Sequence, residues 1–115
     1  MNSFNAPSEN ESTAKVQNMS ATAFKELQSN APVQLIDVRT ADEFTAGHFE
    51  GAINADFRSG EVEQKLNSWD KNQPAYLHCA GGMRSAKAAQ ILVDNGFTEV
   101  YNIGGYEDLK RAGVQ

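Results

Sequence analysis

The stretch Pro74-Ala-Tyr-Leu-His-Cys-Ala-Gly-Gly-Met-Arg-Ser85 decides the fold: a short apolar run closes on a cysteine, a glycine pair follows, and a helical pattern starts near Arg84. The glycines let successive backbone N–H groups turn toward a common centre, and a helix start adds its positive end to the same point. A thiolate at that point is stabilised. An unperturbed cysteine, with a pKa of about 8.5, is only ~3% thiolate at neutral pH, and two units of depression would make it mostly thiolate for roughly 2.7 kcal/mol. A helix end and a few charge-assisted amide bonds together supply that much. A lone cysteine is usually a small buried hydrophobe. The Gly-Gly, the arginine and the helix start that follow Cys79 point instead to a nucleophile.

Working outward, strand and helix signals alternate. Upstream, Val16 is expected in a short edge strand, and Ser20 is an N-cap with Met19 and Phe24 at the staple positions of a helix to about Gln28. Gln34-Leu-Ile-Asp-Val-Arg39 reads as a strand, and Thr40-Ala-Asp-Glu43 as a capping box opening a short helix that Gly47 ends. Ala52-Ile-Asn-Ala55 is a brief strand, and Val62, Leu66 and Trp69 share one face of the next helix. Downstream, Ala88, Ile91 and Leu92 face the sheet from a helix ending at Asn95-Gly96. Val100-Tyr-Asn-Ile103 is a last strand, turned by Gly104-Gly105 into a terminal helix around Glu107 to Arg111. Strands separated by helices imply right-handed crossovers. The fold class is therefore α/β, with a mostly parallel central sheet and helices on both faces. Ligands of such folds bind outside the carboxyl ends of the strands, and Cys79 falls at one of them.

With 115 residues the chain forms one domain, large enough to bury a core without disulfides or metals. Residues 1–14 are polar and aperiodic, and read as a disordered tail or expression remnant; residues 15–115 are the domain. A single cysteine forms no internal disulfide and suits a reducing compartment. With no membrane-length apolar segment and no signal-peptide pattern at the N-terminus, a cytoplasmic location is expected. A net charge of −5 with no basic run argues against nucleic acid or a membrane surface as partner.

Among the other candidates, Arg84 is the strongest companion of Cys79: it either neutralises a bound anion or fixes the loop. A cation at a helix start opposes the dipole and needs an anion to face. His78 adjoins Cys79, but neighbours on a strand point to opposite faces, so a structural histidine is expected there and not a base. His48, at a helix end, also reads as structural, and two separated histidines with one cysteine make no metal site. Asp37, Arg39 and Glu43 surround a strand-to-helix turn and read as a scaffold network. Trp69, Phe24 and Phe44 are expected in the core.

Three motifs resemble the rhodanese family, and the resemblance runs from about residue 15 to residue 113. Asp37-Val-Arg39, Glu43-Phe44 and Gly47-His48-Phe-Glu-Gly51-Ala52-Ile-Asn54 are similar to its first signature; Cys79-Ala-Gly-Gly82-Met-Arg84-Ser85 is similar to its active-site loop C-x-x-G-x-R-S, and Asn102-Ile-Gly-Gly105 to its late N-x-x-G-G turn. The resemblance implies a single rhodanese-like domain. It also implies a sulfurtransferase whose Cys79 takes sulfane sulfur from thiosulfate or a similar small donor and carries it as a persulfide. The acceptor would be cyanide or a thiol, a protein thiol included. Such a double displacement needs no cofactor or metal. By the same likeness Ala80, Gly81, Gly82, Met83, Arg84 and Ser85 would bind substrate, while Asp37, Arg39, Glu43 and His48 belong to a structural signature. The chain departs from the pattern at Phe49, where Ile is usual, and at Leu109-Lys110, where Trp is frequent. Its loop also lacks a second cation.

Two alternatives stand beside this reading. Rhodanese-like domains also serve as non-catalytic interaction modules, usually with the cysteine lost. Phosphatases and arsenate reductases that share the fold have a loop one residue longer, whereas here the four residues 80–83 separate Cys79 from Arg84.

Overall fold

The computed structural model describes residues 14–115. Of the segment 1–14 read as a tail, residues 1–13 lie outside the described residues, while Ala14 is partly buried against the core. Five strands form one sheet, β1 (Val16–Asn18), β2 (Gln34–Asp37), β3 (Ile53–Asn54), β4 (Ala75–Cys79) and β5 (Val100–Gly105), in the order β1-β5-β4-β2-β3. Every pairing is parallel. The helices are α1 (Ala21–Asn30), α2 (Ala41–Ala46), α3 (Glu61–Lys65), α4 (Met83–Asp94) and α5 (Tyr106–Arg111).

Side-chain alternation along the central strands divides the core in two. Ala75, Leu77 and Cys79 of β4 face the side covered by α3 and α4, with Ile36, Val62, Leu66, Trp69, Ala88 and Leu92. Tyr76 and the opposite face of β2, through Leu35, pack with Phe24 of α1 and Leu109 of α5. Each fully buried leucine, such as Leu77 or Leu92, contributes roughly 1.5–3 kcal/mol by leaving water. Phe49 fits this second side: it is buried, with its ring 5.2 Å from that of His78 and 4.8 Å from that of Tyr106. Leu109 is likewise buried.

The local signals form as their chemistry dictates. Ser20 Oγ accepts from the Ala23 N–H, and Met19 packs near Phe24. Thr40 and Glu43 make the reciprocal capping box of α2. Four details differ from the sequence reading. The helix carrying Val62 is α-helical only to Lys65; Leu66–Ser68 continue it as a 3₁₀ turn, which still buries Leu66 and Trp69. Ile91 is only partly buried. Phe44 is not in the core, because α2 buries none of its residues; its ring stacks on His48, with centroids 3.8 Å apart. The backbone stays in strand through Gly104 and Gly105.

The strand order sets where a ligand would sit. From β2 the chain moves outward to β3, whereas from β4 it moves the other way, to β5. Adjacent strands whose connections diverge leave a crevice at their carboxyl ends. Cys79 ends β4 at that crevice, and α2 leaves β2 beside it. Among the described residues no helix is long and apolar enough to cross a membrane.

Candidate active site

Cys79 is 1% exposed, at the base of the loop joining β4 to α4. Its sulfur accepts hydrogen bonds from the Gly82 N–H at 3.0 Å, the Ser85 N–H at 3.4 Å and the Ser85 hydroxyl at 3.5 Å. Gly82 reaches this position with φ of +98°, a conformation that a side chain would strain. Burial pushes the Cys79 thiol up, but the donors of Ser85, Gly82 and Gly81 outweigh it and leave it below its ordinary value. Of the residues expected to line a cradle, Gly82 and Ser85 therefore donate to the sulfur and Gly81 helps stabilise its charge. Ala80 and Met83 lie exposed along the loop, with Met83 at 74%.

Arg84 finds its anion in Glu43. Nη1 donates to Oε1 at 2.8 Å and Nη2 to Oε2 at 3.2 Å, a two-pronged clamp from α4 to α2. The Arg84 hydrogen bond, aided by the Thr40 N–H and against the effect of burial, holds the Glu43 carboxyl at about 2. Of the two roles weighed for Arg84, this geometry is that of fixing the loop. Glu43 thus serves both the capping box and the cysteine loop.

The other predicted residues lie around this centre. Asp37 and Arg39 form a buried pair at 2.7 Å, with Arg39 also donating to the Gly47 carbonyl at 2.7 Å and lying 4.0 Å from the centre of the Tyr106 ring. His78 points away from Cys79, into the face with Asp37; burial lowers its pKa despite that carboxylate, so the ring is neutral at neutral pH. Its Nε2, 3.5 Å from Asp37 Oδ2, has no hydrogen-bond partner. The adjacent-histidine pair is thus excluded by geometry. His48 Nδ1–H donates to the Phe44 carbonyl at 2.9 Å, closing the end of α2.

Three residues not among the expected site residues prove to organise the site. Asn102 Nδ2 donates to the Gly82 carbonyl at 3.1 Å, and its Oδ1 accepts from the Ser85 hydroxyl at 2.8 Å and the Gly104 N–H at 3.1 Å. Asn54 Nδ2 donates to the carbonyls of Asp37 and Arg39, both at 3.0 Å, and secures the end of β2. Gly105 passes so close to the loop that a Cβ there would lie 2.5 Å from the Ala80 carbonyl oxygen. The late N-x-x-G-G pattern was the available sign of two of them.

A strand that delivers a buried cysteine to converging amides, followed by an arginine clamped from the neighbouring helix, agrees with a profile match. The profile of the rhodanese-like domain covers residues 20–112. The chain belongs to that family. A rhodanese-like domain protein of Staphylococcus aureus superposes with a TM-score of 0.74 at 33% identity, over 86% of this chain and 96% of that one. Among curated relatives, the uncharacterized protein YqhL of Bacillus subtilis is 44% identical over 63% of this chain and 56% of its own length. The thiosulfate sulfurtransferase PspE of Escherichia coli is 36% identical over 64% of this chain and 71% of its own. Names diverge among the relatives: one from Bacillus subtilis is a putative sulfur carrier protein and one from Nitrobacter hamburgensis a tRNA uridine(34) hydroxylase, the match spanning 50% and 29% of their lengths.

Proposed function

We propose that this rhodanese-like domain is a sulfurtransferase in which Cys79 carries sulfane sulfur. The observation that carries the reading is the set of donors converging on one buried cysteine, which stabilises its thiolate and lowers its pKa. The thiolate attacks the outer sulfur of thiosulfate or a similar donor. A new S–S bond forms on Cys79, the donor's own S–S bond breaks, and sulfite leaves with the electron pair. Cyanide or a thiol then attacks the outer sulfur, taking it as thiocyanate or a new persulfide and returning Cys79 to thiolate. No oxidant enters either step. Gly82 and Ser85 stabilise the negative sulfur before and after transfer, and the Glu43–Arg84 clamp holds the helix that carries Ser85. The likeness to PspE, named a thiosulfate sulfurtransferase, supports the same reading.

The four-residue spacing favours sulfur over phosphate, since a bound phosphoryl group needs donors for three equatorial oxygens and a wider ring of amides. Thiosulfate is expected to add the mass of one sulfur atom to the intact protein, cyanide to remove it, and Cys79→Ser to abolish both the adduct and thiocyanate production. Turnover that survives in Cys79→Ser, or aryl phosphate hydrolysis faster than thiocyanate formation, would overturn the assignment.

A further inference from the structure

The Ser85 hydroxyl has one proton and two neighbours that would accept it, Asn102 Oδ1 at 2.8 Å and Cys79 Sγ at 3.5 Å. The orientation of Asn102 is forced by its other partners. Its nitrogen must face the Gly82 carbonyl and its oxygen the Gly104 N–H, since the reversed amide would set lone pair against lone pair and hydrogen against hydrogen. The oxygen therefore always faces Ser85. A register irregularity supports this placement. β5 pairs Asn102 with Leu77 but Gly104 with His78, so Ile103 is an extra residue there, and bulges of this kind re-aim side chains beside functional sites.

While the sulfur is protonated, the shorter O–H···O bond to Asn102 holds the Ser85 proton and leaves the serine oxygen as an acceptor toward the thiol. Once the sulfur is negative, the hydroxyl gains a charge-assisted bond by turning to it, and Asn102 loses a donor. We propose that Asn102 is a positioning residue that competes with Cys79 for the Ser85 proton, and so keeps the sulfur more basic and more nucleophilic than the converging amides and an uncontested Ser85 hydroxyl would make it. The inference rests on Cys79 acting as the nucleophile. A thiolate stabilised too far attacks slowly, because nucleophilicity falls with pKa.

The charged groups around this sulfur are few. Arg84 of α4 lies within its field, already paired with Glu43 of α2 and near Asp56 beyond β3. His78 of β4 faces the other side of the sheet with Asp37 and Arg39. On β5, Asn102, Gly104 and Gly105 are uncharged, and Tyr101 stacks on Tyr76 on that opposite side.

The test is the pH dependence of Cys79 alkylation by iodoacetamide in a double-mutant cycle. Asn102→Ala is expected to lower the apparent pKa by about half to one unit and to slow alkylation of the thiolate form roughly twofold to threefold. In a Ser85→Ala background the same change is expected to leave the titration in place. Loosening of the loop would instead withdraw amide donors and move the titration up. An upward shift, or equal shifts in both backgrounds, would overturn the proposal. If Asn102→Ala does not fold, Asn102→Asp keeps the acceptor and strengthens its pull, while losing the donor to the Gly82 carbonyl equally in both Ser85 backgrounds. Its upward shift should be larger with Ser85 present than in the Ser85→Ala background, and equal shifts again overturn the idea. Alkylation reads the sulfur whether or not it ever carries a second one, so a missing persulfide with the cycle intact would sink the sulfur-carrier reading alone.

Discussion

Two arginine–carboxylate pairs flank the end of β2, and their surroundings give them different work. Asp37 and Arg39 are enclosed, their side chains 0% and 6% exposed, and the arginine also holds the Gly47 carbonyl and the Tyr106 ring. Glu43 and Arg84 are 35% and 15% exposed and join two helices. The distances are nearly equal, 2.7 and 2.8 Å, so geometry of the contact does not separate them. Enclosure does. An enclosed pair cannot exchange either partner for water and acts as a brace, whereas a half-exposed pair contributes little to stability but aligns what it connects.

Removing the charge of Asp37 tests the first half of that contrast most strongly. Asp37→Asn leaves the Arg39 guanidinium buried without its anion and is expected to cost about 3–5 kcal/mol in urea unfolding. A loss below about 1 kcal/mol would mean that water reaches Arg39 and that the two pairs are alike. A smaller stability effect is expected from Arg84→Met, about 1 kcal/mol or less, together with a roughly tenfold or greater fall in thiocyanate formation because the cysteine loop loses its alignment. Unchanged turnover would reduce this clamp to a surface ion pair.

The smallest effect lies in acid. The folded-state pKa of Glu43, about 2, is depressed from its ordinary 4.5, chiefly by the Arg84 hydrogen bond. Its contribution is therefore complete above pH 4.5 and is lost as pH falls toward 2. Glu43→Gln should flatten the acid limb of the melting temperature in that window and leave the slope between pH 6 and 8 untouched. Equal slopes for both proteins below pH 4.5 would show that Arg84 does not depress Glu43.

What the sequence made legible follows the range of the interactions. The capping box at Thr40 and Glu43, the N-cap at Ser20 and the turn to Gly82 are set by neighbours three residues away or fewer, and all could be read from residue type and spacing. The opposed directions of His78 and Cys79 followed from strand alternation alone. The second partner of Glu43 lies 41 residues away, and the pairing of Asn102 with Ser85 depends on how β5 lies beside β4; no local periodicity encodes either. Phe44 departs from its expected place because an aromatic residue on a helix suggests a buried face, but the short α2 has none.

The depth of Cys79 also decides which bonds it can make. A disulfide requires the two Cβ atoms to approach within about 4 Å, and a cysteine only 1% exposed presents little surface for such an approach. Joining two folded copies through their only cysteine would therefore require both active-site loops to open. A single added sulfur atom extends the side chain by about 2 Å. The group that partners meet is then that outer atom, and the inner one stays out of reach, which directs attack to the end of the chain of two sulfurs where transfer leaves no protein attached.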